Sequence, residues 1–112
     1  MVNIYAAQPI HLTIIDNITS MSGGEGPWCS QAAELKLTTP GVLIVGLNPV
    51  ATDAVGTAVM GYDNPRAVRG VKPFHFCDNH LLMAEQARLG SADLSQIEVR
   101  GMAIEKARYP YG

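Results

Sequence analysis

The sequence predicts an α/β domain, a small, mostly parallel sheet of three or four strands with helices packed on it. Three observations predict it. Val42, Leu43, Ile44 and Val45 form an unbroken apolar run of strand-forming residues, the pattern of a strand covered on both faces. That run passes through Gly46 straight into a turn and a capped helix beginning near Pro49. An earlier strand, Leu12-Thr-Ile-Ile-Asp16, lies upstream. The link of about 25 residues is long enough for a crossover between parallel strands.

The elements follow in order. Residues 2–8 have weak helical character and stop before Pro9. The 12–16 strand leads into a glycine-rich loop over 17–28, and residues 30–36 suit a helical turn or two. The second strand follows Pro40. Gly46 permits a sharp turn. Asn48 is a good N-cap, and Pro49 suits the first helical position, where its missing N–H costs nothing. Val50, Ala51, Ala54, Val55, Ala58 and Val59 then share one helical face, with Gly61 at the C-terminal cap. A loop over 62–77 carries Pro65, Gly70 and Pro73. Asp78 is placed to cap a second helix, 79–89, with Gly90 just past its end. Ile97-Glu-Val-Arg100 alternates as an edge strand, and the tail over 102–112 reads as extended.

The 112 residues are read as one domain, the C-terminal fragment of a longer protein. Hydrophobic residues make up 47%, enough for a core, and charged residues only 16%. Low charge leaves apolar surface to be covered, so a homo-oligomer is expected, with Ile4, Tyr5, Tyr109 and Tyr111 as contact candidates. Net charge is −2 and the basic residues are scattered, which argues against nucleic acid as a partner. No apolar run reaches the roughly 20 residues of a membrane span, so no membrane partner is expected. Cys29 and Cys77 are too few for an iron–sulfur cluster and read as reduced thiols in a cytoplasmic setting.

Four polar residues are the ligand-binding candidates: Asp16, Glu25, Asn48 and Asp53. In an open parallel sheet, ligands bind beyond the carboxyl ends of the strands. Asp16 and Asn48 fall at two such ends, Asp53 opens the following helix, and Glu25 lies in the glycine loop between them. Three carboxylates, Asp16, Glu25 and Asp53, are oxygen ligands suited to a divalent cation such as Mg²⁺ or Ca²⁺. Each also has a plain structural role open to it. Asn48 caps the helix, Asp53 complements the helix N-terminus, and Asp16 bonds local backbone. The loop Gly23-Gly-Glu-Gly-Pro27 lacks the lysine and spacing of a phosphate loop. His75, Cys77, Asp78 and His80 form a second polar group with H-x-C-x-x-H spacing. It offers a zinc site short of one ligand, a thiol–imidazole pair, or simply the start of a helix.

Taken together, Leu12–Asp16, Gly24–Pro27, Gly46–Asp53, Met60-Gly-Tyr62, Ala84–Gly90 and Asp93–Gly101 resemble the C-terminal part of the family called domain of unknown function 362. The resemblance covers about residues 12–101. Family members more often carry Asp at the place of Asn48, and Asn or Asp at the place of Glu25. They are also usually longer upstream, and some carry ferredoxin-type modules whose cysteines this chain lacks. The resemblance implies a ligand-binding or structural C-terminal domain of a larger bacterial or archaeal protein, partnered by its upstream region. The alternatives are part of an enzyme using a carboxylate-bound divalent cation, and a dimerisation module.

Overall fold

The computed structural model describes residues 1–23 and 36–111. The chain runs through α1 (Val2–Ala7), β1 (Thr13–Asn17), β2 (Ser20–Ser22), β3 (Lys36–Thr38), β4 (Val42–Gly46), α2 (Pro49–Val59), α3 (His80–Gln86), a 3-10 turn (Leu94–Gln96) and α4 (Ile104–Ala107). Residues 24–35, which hold Glu25, Trp28, Cys29 and all but the last residue of the helical turns expected at 30–36, lie outside the described residues; the start of the expected 17–28 loop forms β2, and residue 36 opens β3.

The expected parallel sheet is not what forms. β1 pairs with β4 antiparallel, Thr13 opposite Gly46 and Asn17 opposite Val42. β2 pairs with β3 in a second antiparallel ladder, Ser20 opposite Thr38. The sheets therefore have two strands each, not three or four. Gly41 N–H donates to Ile18 O at 3.1 Å and carries the pairing from one ladder to the other. The link between β1 and β4 turns back on itself as β2 and β3 instead of crossing over. A long link permits a crossover but does not require one.

The apolar run of β4 misleads for a related reason. Val42 and Ile44 face α2 and are half-buried, whereas Leu43 and Val45 are 57% and 60% exposed. On β1, Ile14 is 60% exposed on that same outer face. A continuous run fits a strand buried on both faces, but here one face is bare.

Helix α2 is the centre of the molecule. Its N-cap, Pro at the first position and Gly61 at its end stand as the sequence predicts: Asn48 Oδ1 accepts from Ala51 N–H at 3.0 Å, and Gly61 has φ of 95°. Thr52 and Gly56, outside the apolar face expected from the sequence, are buried as well. The helix is covered from several directions, by β1 and β4, by α3, by α4 and by the 3-10 turn. Gly56 lets the Ile15 side chain approach closely, within 3.0 Å of where a Cβ would stand. Val50, Ala54, Ala67, Phe74, Leu81, Ala84 and Ala92 make the core between α2, α3 and the preceding loop.

Helix α3 is capped by Asn79, not Asp78. Asn79 is 3% exposed, and its Oδ1 accepts from Leu81 N–H at 2.8 Å and Leu82 N–H at 3.4 Å. Its amide donates to Pro65 O at 2.7 Å and Ala67 O at 2.8 Å, which ties the 62–77 loop to the helix. Asp78 is exposed and faces Arg69 at 3.5 Å. Arg88, with φ of 59°, takes the left-handed position after α3, rather than Gly90. Ile97 has extended backbone, but Ile97–Arg100 forms no strand and pairs with none among the described residues. The tail is not free either. It forms α4, then Tyr109 N–H donates to Val59 O at 2.7 Å and Tyr111 N–H to Met60 O at 3.0 Å. Tyr111 hydroxyl donates to Asn17 Oδ1 at 2.7 Å.

Asp93 caps the 3-10 turn. Its Oδ1 accepts from the Ser95 hydroxyl at 2.7 Å and from Ser95 N–H at 3.0 Å, and Arg66 stands 3.5 Å from its other oxygen. The Ser95 bonds, hydroxyl first, hold the Asp93 carboxyl below the usual carboxylate value, with Arg66 adding in the same direction. A pKa lowered by folding adds stability above the unfolded value and loses it as pH falls through the folded one. Stability should therefore drop on acidification below about pH 4, and Ser95→Ala should flatten that part of the profile, read from urea melts between about pH 5 and pH 2. Asn79→Ala should cost about 3 kcal/mol, since it removes a cap and orphans buried carbonyls. Asp78→Ala should cost under about 0.5 kcal/mol, as surface substitutions generally do; equal losses in the two melts would contradict the cap assignment.

Candidate functional site

The first turn of α2 separates two cavities. On one side a groove of about 410 Å³ runs along β4. Val42 and Ile44 form one wall, Ala51, Val55 and Val59 the floor, and the Ile97–Arg100 segment the far wall. On the other side a pocket of about 310 Å³ lies beneath α1, between Val2 and Tyr5 of α1, Val50 of α2, and Leu81 and Ala84 of α3. Asn48 borders the groove, and Asp53 borders the pocket.

The phase of the β1–β4 ladder determines what the groove presents. Gly41 donates to Ile18 directly opposite it, so that pair is hydrogen-bonded. Bonded pairs alternate in an antiparallel ladder. Asp16 with Leu43 and Ile14 with Val45 are then the bonded pairs. The N–H and C=O groups of Val42, Ile44 and Gly46 point the other way, into the groove. They have no backbone partner among the described residues.

The described ligand-binding candidates, Asp16, Asn48 and Asp53, do not assemble as a parallel sheet would place them. Asp16 is opposite Leu43, near the start of β4, whereas Asn48 follows the end of that strand. At about 3.3 Å per residue, the separation is on the order of 16 Å. Asp16 Oδ1 accepts from Ile18 N–H at 3.1 Å and shapes the turn out of β1. Asn48 caps α2, and its amide also donates to Leu89 O at 2.8 Å, which joins α2 to the end of α3. Asp53 meets His80, with Nε2 and Oδ2 3.1 Å apart. Glu25 lies outside the described residues. Among the described residues, no three His, Cys, Asp or Glu side chains stand together as a metal site.

The second polar group is dispersed too. His80 turns to Asp53, Asp78 to Arg69, and the His75 ring stands edge-on to Phe76 at 5.8 Å between centroids. Cys77 is a free, exposed thiol. Two features had no local signal in the sequence. The Asp53–His80 pair joins residues 27 apart in the chain, and the open edge of β4 depends on which strand sits beside it.

An antiparallel ribbon backed by one central helix, with a polar pair at the mouth of an apolar pocket, defines a small α+β domain with no recognisable catalytic constellation among the described residues. The sequence profile of the family described as Domain of unknown function (DUF362) matches residues 1–58, and the chain belongs to that family. The match spans α1 to nearly the end of α2. It begins upstream of the resemblance noted in the sequence and stops well before residue 101. No curated protein and no solved structure matches the chain. Among the described residues, no helix is long and apolar enough to cross a membrane.

Gly90 packs against the Asn48 cap. A Cβ there would overlap Asn48 Oδ1 and stand 2.8 Å from Val50 Cβ. Gly90→Ala should cost about 1–3 kcal/mol through overpacking. In an Asn48→Ala background the same change should cost at least about 0.5 kcal/mol less, because neighbouring sites couple. Additive losses in urea melts would show that Asn48 is not what Gly90 accommodates.

Proposed function

We propose that this is a structural domain completed by an extended segment from elsewhere in a longer polypeptide, laid along the open edge of β4. The observation that carries this reading is the unpaired backbone of Val42, Ile44 and Gly46 facing a groove with an apolar floor. A strand there would gain main-chain hydrogen bonds from β4 and bury alternate side chains on Ala51, Val55 and Val59. On the opposite face of the ribbon, Ile14, Leu43 and Val45 are bare as well.

Magnitudes bear on the source of that segment. Covering three half-exposed aliphatic side chains is worth about 3–5 kcal/mol. Free association costs about 4–15 kcal/mol in lost motion. The outer face alone therefore cannot hold two separate chains, and the groove must contribute. Tethering lowers the cost by raising the effective concentration. This favours a segment of the same longer polypeptide, an upstream region of which this domain forms the C-terminal part. A second copy is the alternative occupant and would make the homo-oligomer suggested by the low charge. A cytoplasmic setting is consistent with the exposed, unpaired Cys77 thiol.

Amide exchange on the chain by itself and on a longer form of the protein tests this. In the isolated monomer, Val42, Ile44 and Gly46 amides should exchange at least about tenfold faster than those of Leu43 and Val45, which bond to β1. In the longer form they should become protected. Fast exchange in the assembled protein would refute strand addition at β4. Light scattering on the isolated chain identifies the occupant: a dimer that protects the same three amides, and dissociates on Val45→Lys, assigns the edge to a second copy.

A further inference from the structure

We propose that the pocket beneath α1 binds a compact apolar molecule carrying one hydrogen-bond donor, an alcohol or an amine. Its volume of about 310 Å³ is at the lower end of small-molecule sites, which are typically apolar with a few placed polar groups. Val2, Tyr5, Val50, Leu81 and Ala84 line it with carbon. Tyr5 hydroxyl reaches toward Leu89 O at 3.5 Å and so points out of the apolar part. The remaining polar side chains on the wall are those of Asp53 and His80.

The way these two meet decides what the pocket accepts. An ionised carboxylate can only accept, so the 3.1 Å contact places a proton on His80 Nε2. In a neutral ring, Nδ1 is then an acceptor. Asp53 Oδ1 is an acceptor as well, and neither atom has a side-chain or backbone partner among the described residues. The Phe74 ring stands edge-on to the imidazole, 6.0 Å between centroids, and limits its rotation. Both side chains of the pair are about half exposed, so a ligand can reach them. Two free acceptors beside an apolar cavity, one on a carboxylate, are complementary to a donor. A ligand carboxylate placed beside the pair would meet repulsion from Asp53 and no free side-chain donor. The pocket lies across α2 from the β4 groove, so this inference stands apart from the strand-addition reading.

The test uses the full chain at pH 8 and three probes with one ring body: 2-naphthol, 2-naphthylmethylamine and 2-naphthoate. Binding is followed by methyl NMR shifts of Val50, Leu81 and Ala84. The alcohol and the amine should saturate these shifts at least about tenfold more tightly than the carboxylate, as expected for one well-placed hydrogen bond. His80→Phe and Asp53→Asn should each reduce that preference to under about threefold while the apolar methyl shifts persist. If His80→Phe unfolds the chain, Asp53→Asn decides, since Asp53 is exposed on α2. Equal binding of naphthoate, saturable shifts confined to other residues, or no saturation by any probe at millimolar concentration would each overturn the proposal.

Discussion

The β1–β4 ribbon, α3, α4 and the 3-10 turn are placed by the demand of one helix for cover. Helix α2 carries apolar or small residues around most of its circumference, so leaving any flank in water is costly. The ribbon of β1 and β4 covers one flank, α3 another, and α4 a third. The cap residue Asn48 makes this cover continuous, because it closes the first turn of α2 and also bonds the carbonyl of Leu89 beyond α3. Gly90 is required beside it because a side chain would displace the cap. Packing and capping thus meet at one point.

The two cavities are a consequence of the same arrangement. A two-stranded ribbon is narrower than the helix it backs, so the far flank of β4 is left unpaired and a groove opens over Ala51, Val55 and Val59. Helix α1 has six residues and none of them buried, so it roofs the opposite side without filling it. Isolated two-stranded ribbons are marginal in water. Here the ribbon is held by α2 on one face, and its other face keeps Ile14, Leu43 and Val45 in solvent. A domain built this way retains unsatisfied edge groups and apolar area that a further strand would cover.

Among the described residues, polar side-chain chemistry is sparse and is concentrated where helices meet. Asp53 on α2 and His80 on α3 touch because the Ala54, Leu81 and Ala84 contacts draw the two helices together. Asn79, the residue before His80, caps that helix with two hydrogen bonds and ties it to the loop with two more. The polar pair therefore sits on a rigid support, which suits recognition. Among the described residues, the exposed Cys77 thiol is bonded to neither member of the pair.

Much of the local structure was legible in the sequence. Asn48, Pro49 and Gly61 mark α2 because capping and turn preferences act within a few residues and need no partner. Membership of the family was legible as well, since Leu12–Asp16 and Gly46–Asp53 carry it in order. The direction of β1 was not. A run such as Val42–Val45 states that a strand is apolar, not which neighbour it takes or whether both faces are covered. That is settled by how β2 and β3 fold the intervening chain, and it moved Asp16 away from Asn48 and Asp53. Asp78 and Asn79 are equally good caps by type. Asn79 alone has an amide that can also donate to Pro65 and Ala67, and those carbonyls arrive only when the loop folds. What the sequence by itself determined were the elements whose causes are local. Strand partnership, the open edge and the Asp53–His80 pair were decided by tertiary structure, because they depend on contacts between residues far apart in the chain.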